Sequence, residues 1–504
     1  MTFKRFLKKL ALYNRRSLIY IGTKLLWSKY NNSDLIGNEE TIIINAYAPN
    51  IVILALVQCP PLGGKNISEN EFVELCNSYF RIEDLLQYPY RIMEESNKIK
   101  VAFNSLDTRD KLDAAYLTDK NIKEICEYTC LVRSLIIPQH LSLSIWNSLL
   151  TMYSVFEILD NNTNGEARKL CNTSLEISPE AFIRSSMLLL SNATSNKGEI
   201  VLSENNPSKD EAFEAKFNVN PQSLVKTALI LSLNEKGEEF YNNLANMPEI
   251  LCKNFKNILI DFPLINLNNT RNTNFVVPSP IFFVTQFFYK IIYSCFTNKT
   301  MNIKTGDVFE EYVGIAFKEI YNSFNVIKLE RSDTEEIADY LIELNSCDLI
   351  IETKLSITDP KEKIIMGPEN LKKIFKTLNK ASSQCSNTIK IYDNNKPKVI
   401  IILIAEYLSG QQLPFLIWAK KGLFKKLGIS HIGVLSWNIF ERIVQYVSIE
   451  DMTNAMLSQW DLENNSDERE LMTLTKLAYD NEPKVFKYIK DVEDRLLKKN
   501  KQNN

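Results

Sequence analysis

Histidine is nearly missing from this chain: among 504 residues, only His140 and His431 carry an imidazole. That excludes zinc sites and proton-transfer schemes needing several imidazoles. No excess of either charge exists, since 59 Lys+Arg stand against 61 Asp+Glu for a net charge of -2. A chain-wide basic field for nucleic acid is thereby excluded, and any such site must be a local patch. The nine cysteines are odd in number, irregularly spaced and without a CxxC pair. They read as reduced, mostly buried thiols in a reducing, cytoplasmic compartment. Cys126 and Cys130, one helical turn apart, read as core packing rather than a metal clip. Glycine is scarce at 14 residues, and with abundant asparagine the chain reads as helix-rich with polar loops. The apolar fraction of 45% is that of a folded globular protein, and the length suggests two to four domains.

Long hydrophobic runs are also lacking. The first 30 residues hold eight basic side chains and no acid, and Lys8, Lys9, Arg15 and Arg16 interrupt the apolar stretch that a signal peptide would need. This segment reads foremost as a terminal helix docked by Phe3, Phe6, Leu7 and Leu10; its basic face also suits phosphate or a membrane surface. The stretch 280–296 contains Gln286 and Lys290 within about 17 residues, so a buried connecting helix is expected rather than a transmembrane span. The run IVILALVQ (51–58) followed by CPPLGGKN looks like a strand entering a phosphate loop. Cys59 stands where the first glycine is required and Asn66 where Ser or Thr is, so no nucleotide cofactor is expected.

Two helix starts are well marked: Ser178-Pro179 and Asn220-Pro221 each place an N-cap residue before a proline at the first helical position. Asn-rich stretches near 160–175 and 191–210 are expected to be loops or a subdomain boundary. Four regions follow: a mainly helical 1–160, a helical 161–297 that is perhaps one body with the first, an α/β unit 298–447, and a helical extension 448–504. The α/β unit is expected to hold a helix over 306–323, strands near 325–331, 337–344 and 347–355, a basic helix over 369–384, strands over 398–405 and 431–436, and a helix over 438–447.

The chemistry concentrates in IADYLIELNSCDLIIETKLS. Two apolar segments flank the polar Asn345-Ser346, which predicts a tight hairpin. If that break is the turn, Asp339 lies directly opposite Glu352, with Cβ atoms about 4.5–5.5 Å apart. Lys354, two residues on, shares the face. Two carboxylates beside an ammonium can hold a hard divalent cation with water, the carbonyl of Thr353 adding an oxygen ligand. Glu310 sits at the edge of an apolar helical stripe made by Phe309, Val313 and Phe317. Asp348 rivals Asp339 but lies about 13 Å along an extended strand from Glu352, and Glu311 rivals Glu310. Other acid-x-Lys triplets, Glu214/Lys216, Asp359/Lys361 and Glu482/Lys484, close no apolar strand with an acid opposite.

Gly306-Asp307-Val308-Phe309-Glu310, Asp339 and Glu352-Thr353-Lys354 together resemble the PD-(D/E)xK nuclease superfamily over roughly 300–447, about thirty per cent of the chain. Ala338-Asp339 departs from the family's Pro-Asp. The resemblance implies a restriction-endonuclease-like αβββαβ domain in a multidomain α+β or α/β protein. It also implies a Mg²⁺- or Mn²⁺-dependent phosphodiesterase acting on nucleic acid, DNA in the first place, in the manner of a prokaryotic restriction or anti-phage defence effector. Asp339, Glu352, Glu310 and Thr353 would hold the metal, and Lys354 would complete the catalytic set with the three acids. The family also directs a helix after this triplet toward the scissile phosphate; here Lys372, Lys376, Lys380 and Gln384 fall on one face of 369–384. The helical N-terminal region would serve recognition, a partner protein or self-association. The alternative is a module that keeps the nuclease fold without turnover and binds nucleic acid or protein.

Overall fold

The structure is a computed structural model and describes residues 3–30, 39–60, 62–82, 90–95, 98–103, 145–202, 219–233, 259, 262–267, 273–279, 283, 299–330, 336–354, 368–405, 421–461, 484 and 486–497. It is a mixed α/β protein, and no described helix is long and apolar enough to cross a membrane. Most of the 280–296 stretch, His140, Cys126 and Cys130 lie outside the described residues.

The N-terminal helices α1 (Phe3–Leu10), α2 (Arg15–Tyr30), α3 (Glu39–Gln58) and α4 (Glu69–Phe80) enclose one apolar cluster. Phe6 and Leu10 of α1 are fully buried there, so the terminal helix is docked. The run 51–58, expected as a strand, is the last part of α3. Its aliphatics are buried on several sides, and a short apolar run has no period that separates strand from buried helix. A capping box at Ser68 and Glu71 starts α4. A hairpin of β1 (Tyr90–Glu95) and β2 (Lys98–Phe103) follows.

Next come α5 (Ile145–Asn162), α6 (Glu166–Leu175) and α7 (Pro179–Ser195), then β3 (Glu199–Leu202) and α8 (Pro221–Leu231). The Ser178 and Asn220 side chains accept from Ala181 N–H and Gln222 N–H, as the cap motifs predict. The loop expected near 160–175 is instead the end of α5 and the whole of α6. Arg168 binds Asp160 and Glu180 there; Asn161, Asn162 and Asn172 lie on these helices, and Asn164 sits in the tight turn between them. β3 joins β4 (Ile265–Asn266) and β5 (Thr273–Val276) in a small antiparallel sheet ordered β3-β5-β4.

The last region holds α9 (Lys299–Ile320), β6 (Asn325–Lys328), β7 (Tyr340–Glu343), β8 (Asp348–Lys354), α10 (Pro368–Ile391), β9 (Lys398–Ile404), α11 (Lys421–Lys426), β10 (His431–Ser436), α12 (Trp437–Tyr446), α13 (Ile449–Gln459) and α14 (Lys487–Leu497). Its five-stranded sheet runs β10-β9-β8-β7-β6. β6, β7 and β8 are antiparallel neighbours; β8, β9 and β10 are parallel. Both sheet faces are covered. Leu349, Ile351, Val399, Ile401 and Leu403 pack in the cluster containing α9 and α12. Ile350, Ile400, Ile402 and Ile404 pack toward α10. Double coverage explains why β8 and β9 read as near-continuous apolar runs rather than alternating ones. The α9 cluster also takes in α5, α7 and α14, so the helical regions on either side share a core with this sheet.

A candidate two-carboxylate site at a forked hairpin

The β7–β8 register pairs Tyr340 with Ile351 and Glu343 with Asp348. The paired register sums as the turn at Asn345-Ser346 predicts but ends at Tyr340 and Ile351, so Asp339, expected directly opposite Glu352, sits just beyond the last pair. The even residues of β8 face α10, so Glu352 and Lys354 share that face. Both acids are buried, and the Lys354 side chain is 22% exposed and bonded to Glu352 Oε1.

At Asp339 the ladder forks. Its N–H donates to the Ile351 carbonyl at 3.1 Å, whereas its own carbonyl turns the other way and accepts from Leu329 N–H at 2.9 Å. A ladder continued in the same register would give Thr353 N–H the carbonyl of Ala338, beyond β7. Instead Asp339 Oδ2 accepts from both the N–H and the hydroxyl of Thr353, each at 2.7 Å. Thr353, expected to offer a carbonyl to a metal, thus acts through its two donors and fixes the Asp339 carboxylate. Burial raises the Asp339 pKa above the usual carboxylate value; the Thr353 hydroxyl opposes that rise, Glu310 adds to it, and Lys354 opposes it. Beneath lies the buried Cys385 of α10. Burial pushes its thiol well up; Glu352 and Asp339 push it further, against Lys354. One sulfur therefore feels all three charged groups.

Glu310 lies on α9, its carboxylate 3.0 Å from Lys328 Nζ on β6. Tyr340 ties α9 to β7 by donating its hydroxyl to the Glu310 carbonyl at 2.8 Å. Gly314 makes this approach possible, since a Cβ there would stand 2.4 Å from the Tyr340 oxygen. Among the described residues no group of three or more His, Cys, Asp and Glu is arranged to hold a metal ion. The donor set still fits a magnesium-class ion in one respect: two buried carboxylates offer oxygen ligands, and an ammonium already supplies positive charge there. Such ions keep several waters and need only one or two carboxylates. Glu310 is not drawn into one cage with the pair.

The α10 residues depart from their expected role. Lys380 pairs with Glu336 at 2.7 Å. Gln384 Nε2 donates to the Ile337 carbonyl at 3.2 Å, so its amide is held against the protein's own backbone. Asn387 donates to the Glu336 carbonyl, and Thr388 Oγ1 accepts from Ala338 N–H at 2.9 Å. The helix thus staples residues 336–338, the segment that delivers Asp339. Lys376 is exposed, and the Lys372 side chain lies outside the described set. Sequence reasoning missed Thr388, Tyr340 and Gly314. Thr388 continues the every-fourth spacing from Lys380 and Gln384, which is the one signal that could have found it.

Asp348, the rival acid, occupies the opposite end of β8. Lys398 Nζ and Asn394 Nδ2 donate to its Oδ2 at 2.8 and 2.7 Å, and Lys396 lies 3.8 Å from Oδ1. Glu311 accepts from Asn162 of α5 at 2.9 Å and faces away from the fork. No family model matches this chain, and comparisons with curated proteins and with solved structures gave no match.

Proposed function

We propose that this protein is a metal-dependent nuclease, hydrolysing phosphodiester bonds in DNA at the fork between β7 and β8, in a restriction-endonuclease-like domain. The support is one arrangement: two buried acids, Asp339 just beyond the end of β7 and Glu352 near the end of β8, with the partly exposed Lys354 ammonium bonded to Glu352 and Thr353 fixing the Asp339 carboxylate. In this reading Asp339 and Glu352 hold Mg²⁺ or Mn²⁺, with water and phosphate oxygens completing its shell. A bound divalent cation acidifies its water and neutralises charge on the phosphoryl oxygens. Thr353 keeps Asp339 in one orientation. Lys354, whose Nζ lies at Glu352, would be the group placed beside the attacking water or the oxygen where charge develops. The raised pKa of Asp339 belongs to the same picture, because burial first and the nearby Glu310 second disfavour its charge, and a cation would restore it.

The test is cleavage of linear, circular and single-stranded substrates with Mg²⁺ or Mn²⁺. Products should require the metal and should vanish in Asp339→Ala and Lys354→Ala. Unchanged cleavage in either variant rejects this site. A second reading, a nuclease-fold module that binds without turnover, is favoured by one observation: Lys354 pairs with Glu352 and Lys328 with Glu310, so both acids have cationic partners of the protein's own. Metal-independent binding with no products on any substrate would decide for it.

A further inference from the structure

The segment CPPLGGKN (59–66), which only imitates a phosphate loop, forms a surface with the N-terminal helix. Lys65 N–H donates to the Leu12 carbonyl at 2.9 Å, and Asn14 N–H to the Lys65 carbonyl at 2.8 Å. Asn14 Nδ2 donates to the Gly63 carbonyl, and Arg15 Nη2 to the Cys59 carbonyl, both at 2.8 Å. Gly63 and Gly64 both have positive φ, and a Cβ on Gly64 would stand 2.8 Å from the Tyr13 backbone. Two glycines therefore shape this loop against residues 12–15. The outcome is two large apolar side chains turned to water on adjoining segments, Leu62 at 88% exposure and Leu12 at 66%.

Cations surround them. Lys4, Arg5 and Lys8 are exposed and Lys9 is half-exposed. At 3.6 residues per turn these four span an arc of about 140° on α1. Arg16 is exposed just beyond. The nearby acids are largely matched: Lys24 binds Glu69, Lys65 binds Glu71, and Glu74 is left exposed. Phe6 and Leu10 are spent on the protein's own core, so α1 cannot lay its apolar face on a bilayer. The loop leucines can reach one without unfolding anything.

We propose that this face is a docking surface for anionic lipid bilayers, with Leu62 and Leu12 entering the headgroup boundary and the α1 cations meeting the lipid charge. Fluid, anionic and apolar-accepting together describe a bilayer surface better than a phosphate backbone, which offers nothing to two leucines. The proposal stands apart from the nuclease reading, and cleavage by vesicle-free protein should not change in Leu62→Gln.

The experiment is co-sedimentation of the full chain with phosphatidylcholine vesicles, with and without phosphatidylserine, alongside binding to duplex DNA. Binding is expected only with phosphatidylserine, falling as salt rises. Leu12→Gln with Leu62→Gln should lower partitioning about tenfold at unchanged charge and melting temperature. Lys4→Ala and Lys8→Ala should each lower it about fivefold. Failure to bind anionic vesicles overturns the proposal. So does binding that the leucine substitutions leave intact, and duplex DNA competing it away under those conditions would identify a polyanion site instead.

Discussion

The two ends of β8 each bury an acid, and they solve that problem in opposite ways. At the N-terminal end, Asp348 has two lysines and an amide directed at it, so one negative charge meets an excess of donors. At the C-terminal end, Glu352 is bonded to Lys354, whose charge also reaches Asp339, and Thr353 supplies only neutral donors to Asp339. The first cluster is complete as it stands. The second gathers two buried acids about one ammonium, an arrangement whose burial is costly unless the charges are paired. Buried charge alone therefore marks neither end as a site; the balance of charges does.

The largest effect expected from breaking this contrast is on chemistry. Lys354→Ala should cut metal-dependent cleavage on the order of a thousandfold, the scale of losing one preorganised charge at a developing oxyanion. Asp348→Ala should leave the cleavage rate per folded molecule unchanged but destabilise by about 3 kcal/mol, because Lys398 loses its carboxylate and keeps only the neutral oxygens of Asn394 and Lys396. Thermal melts and single-turnover cleavage on the same samples separate the two. Asp339→Asn sharpens the difference further. The folded state raises the Asp339 pKa, so it binds the proton better than the unfolded chain does. Stability is then lost as pH rises past the ordinary carboxylate value. Asp339→Asn should accordingly raise the melting temperature at neutral pH while abolishing cleavage, the reverse of Asp348→Ala.

A third buried acid supplies the next prediction. Glu441 on α12 accepts from Tyr488 of α14 at 2.7 Å, from Tyr312 of α9 at 3.2 Å and from Thr151 of α5 at 3.2 Å. Burial outweighs these bonds and raises its pKa to about 7. Its contribution is complete below the ordinary glutamate value of 4.5, is lost as pH climbs toward 7, and is absent above it. Melts across this range should show a decline of a few kcal/mol, and Glu441→Gln should flatten it. A decline that persists in Glu441→Gln would place its source elsewhere.

The hairpin was legible because a strand pair has one geometric freedom, its register, and Asn345-Ser346 set it. The β9 and β10 strands were legible because a doubly covered sheet demands aliphatic runs. The fork was not legible: whether Asp339 turns its carbonyl toward β6 depends on Leu329, distant in sequence and near only in the fold. The role of α10 was misjudged for a related reason. Periodicity placed Lys380 and Gln384 on one face, but a face carries no address, and residues 336–338 reached it before any phosphate could. Glu441 was invisible because its three partners come from three separate helices.

The smallest expected effects test that reassignment of α10. Thr388→Val keeps the shape and the helix but withdraws the acceptor from Ala338 N–H. A buried donor left without its acceptor costs about 1–3 kcal/mol, and Asp339 is the next residue. Stability should fall by that amount, and cleavage should fall through kcat, because the positioned carboxylate moves while the substrate surface stays. Lys376→Ala touches nothing in the staple and is exposed. If the helix retains any role toward a phosphate backbone, this substitution should weaken DNA binding and reduce its salt dependence by about one counterion, with kcat unchanged. The opposite pairing, a binding loss from Thr388→Val and a kcat loss from Lys376→Ala, would return the helix to the phosphate and remove it from the support of Asp339.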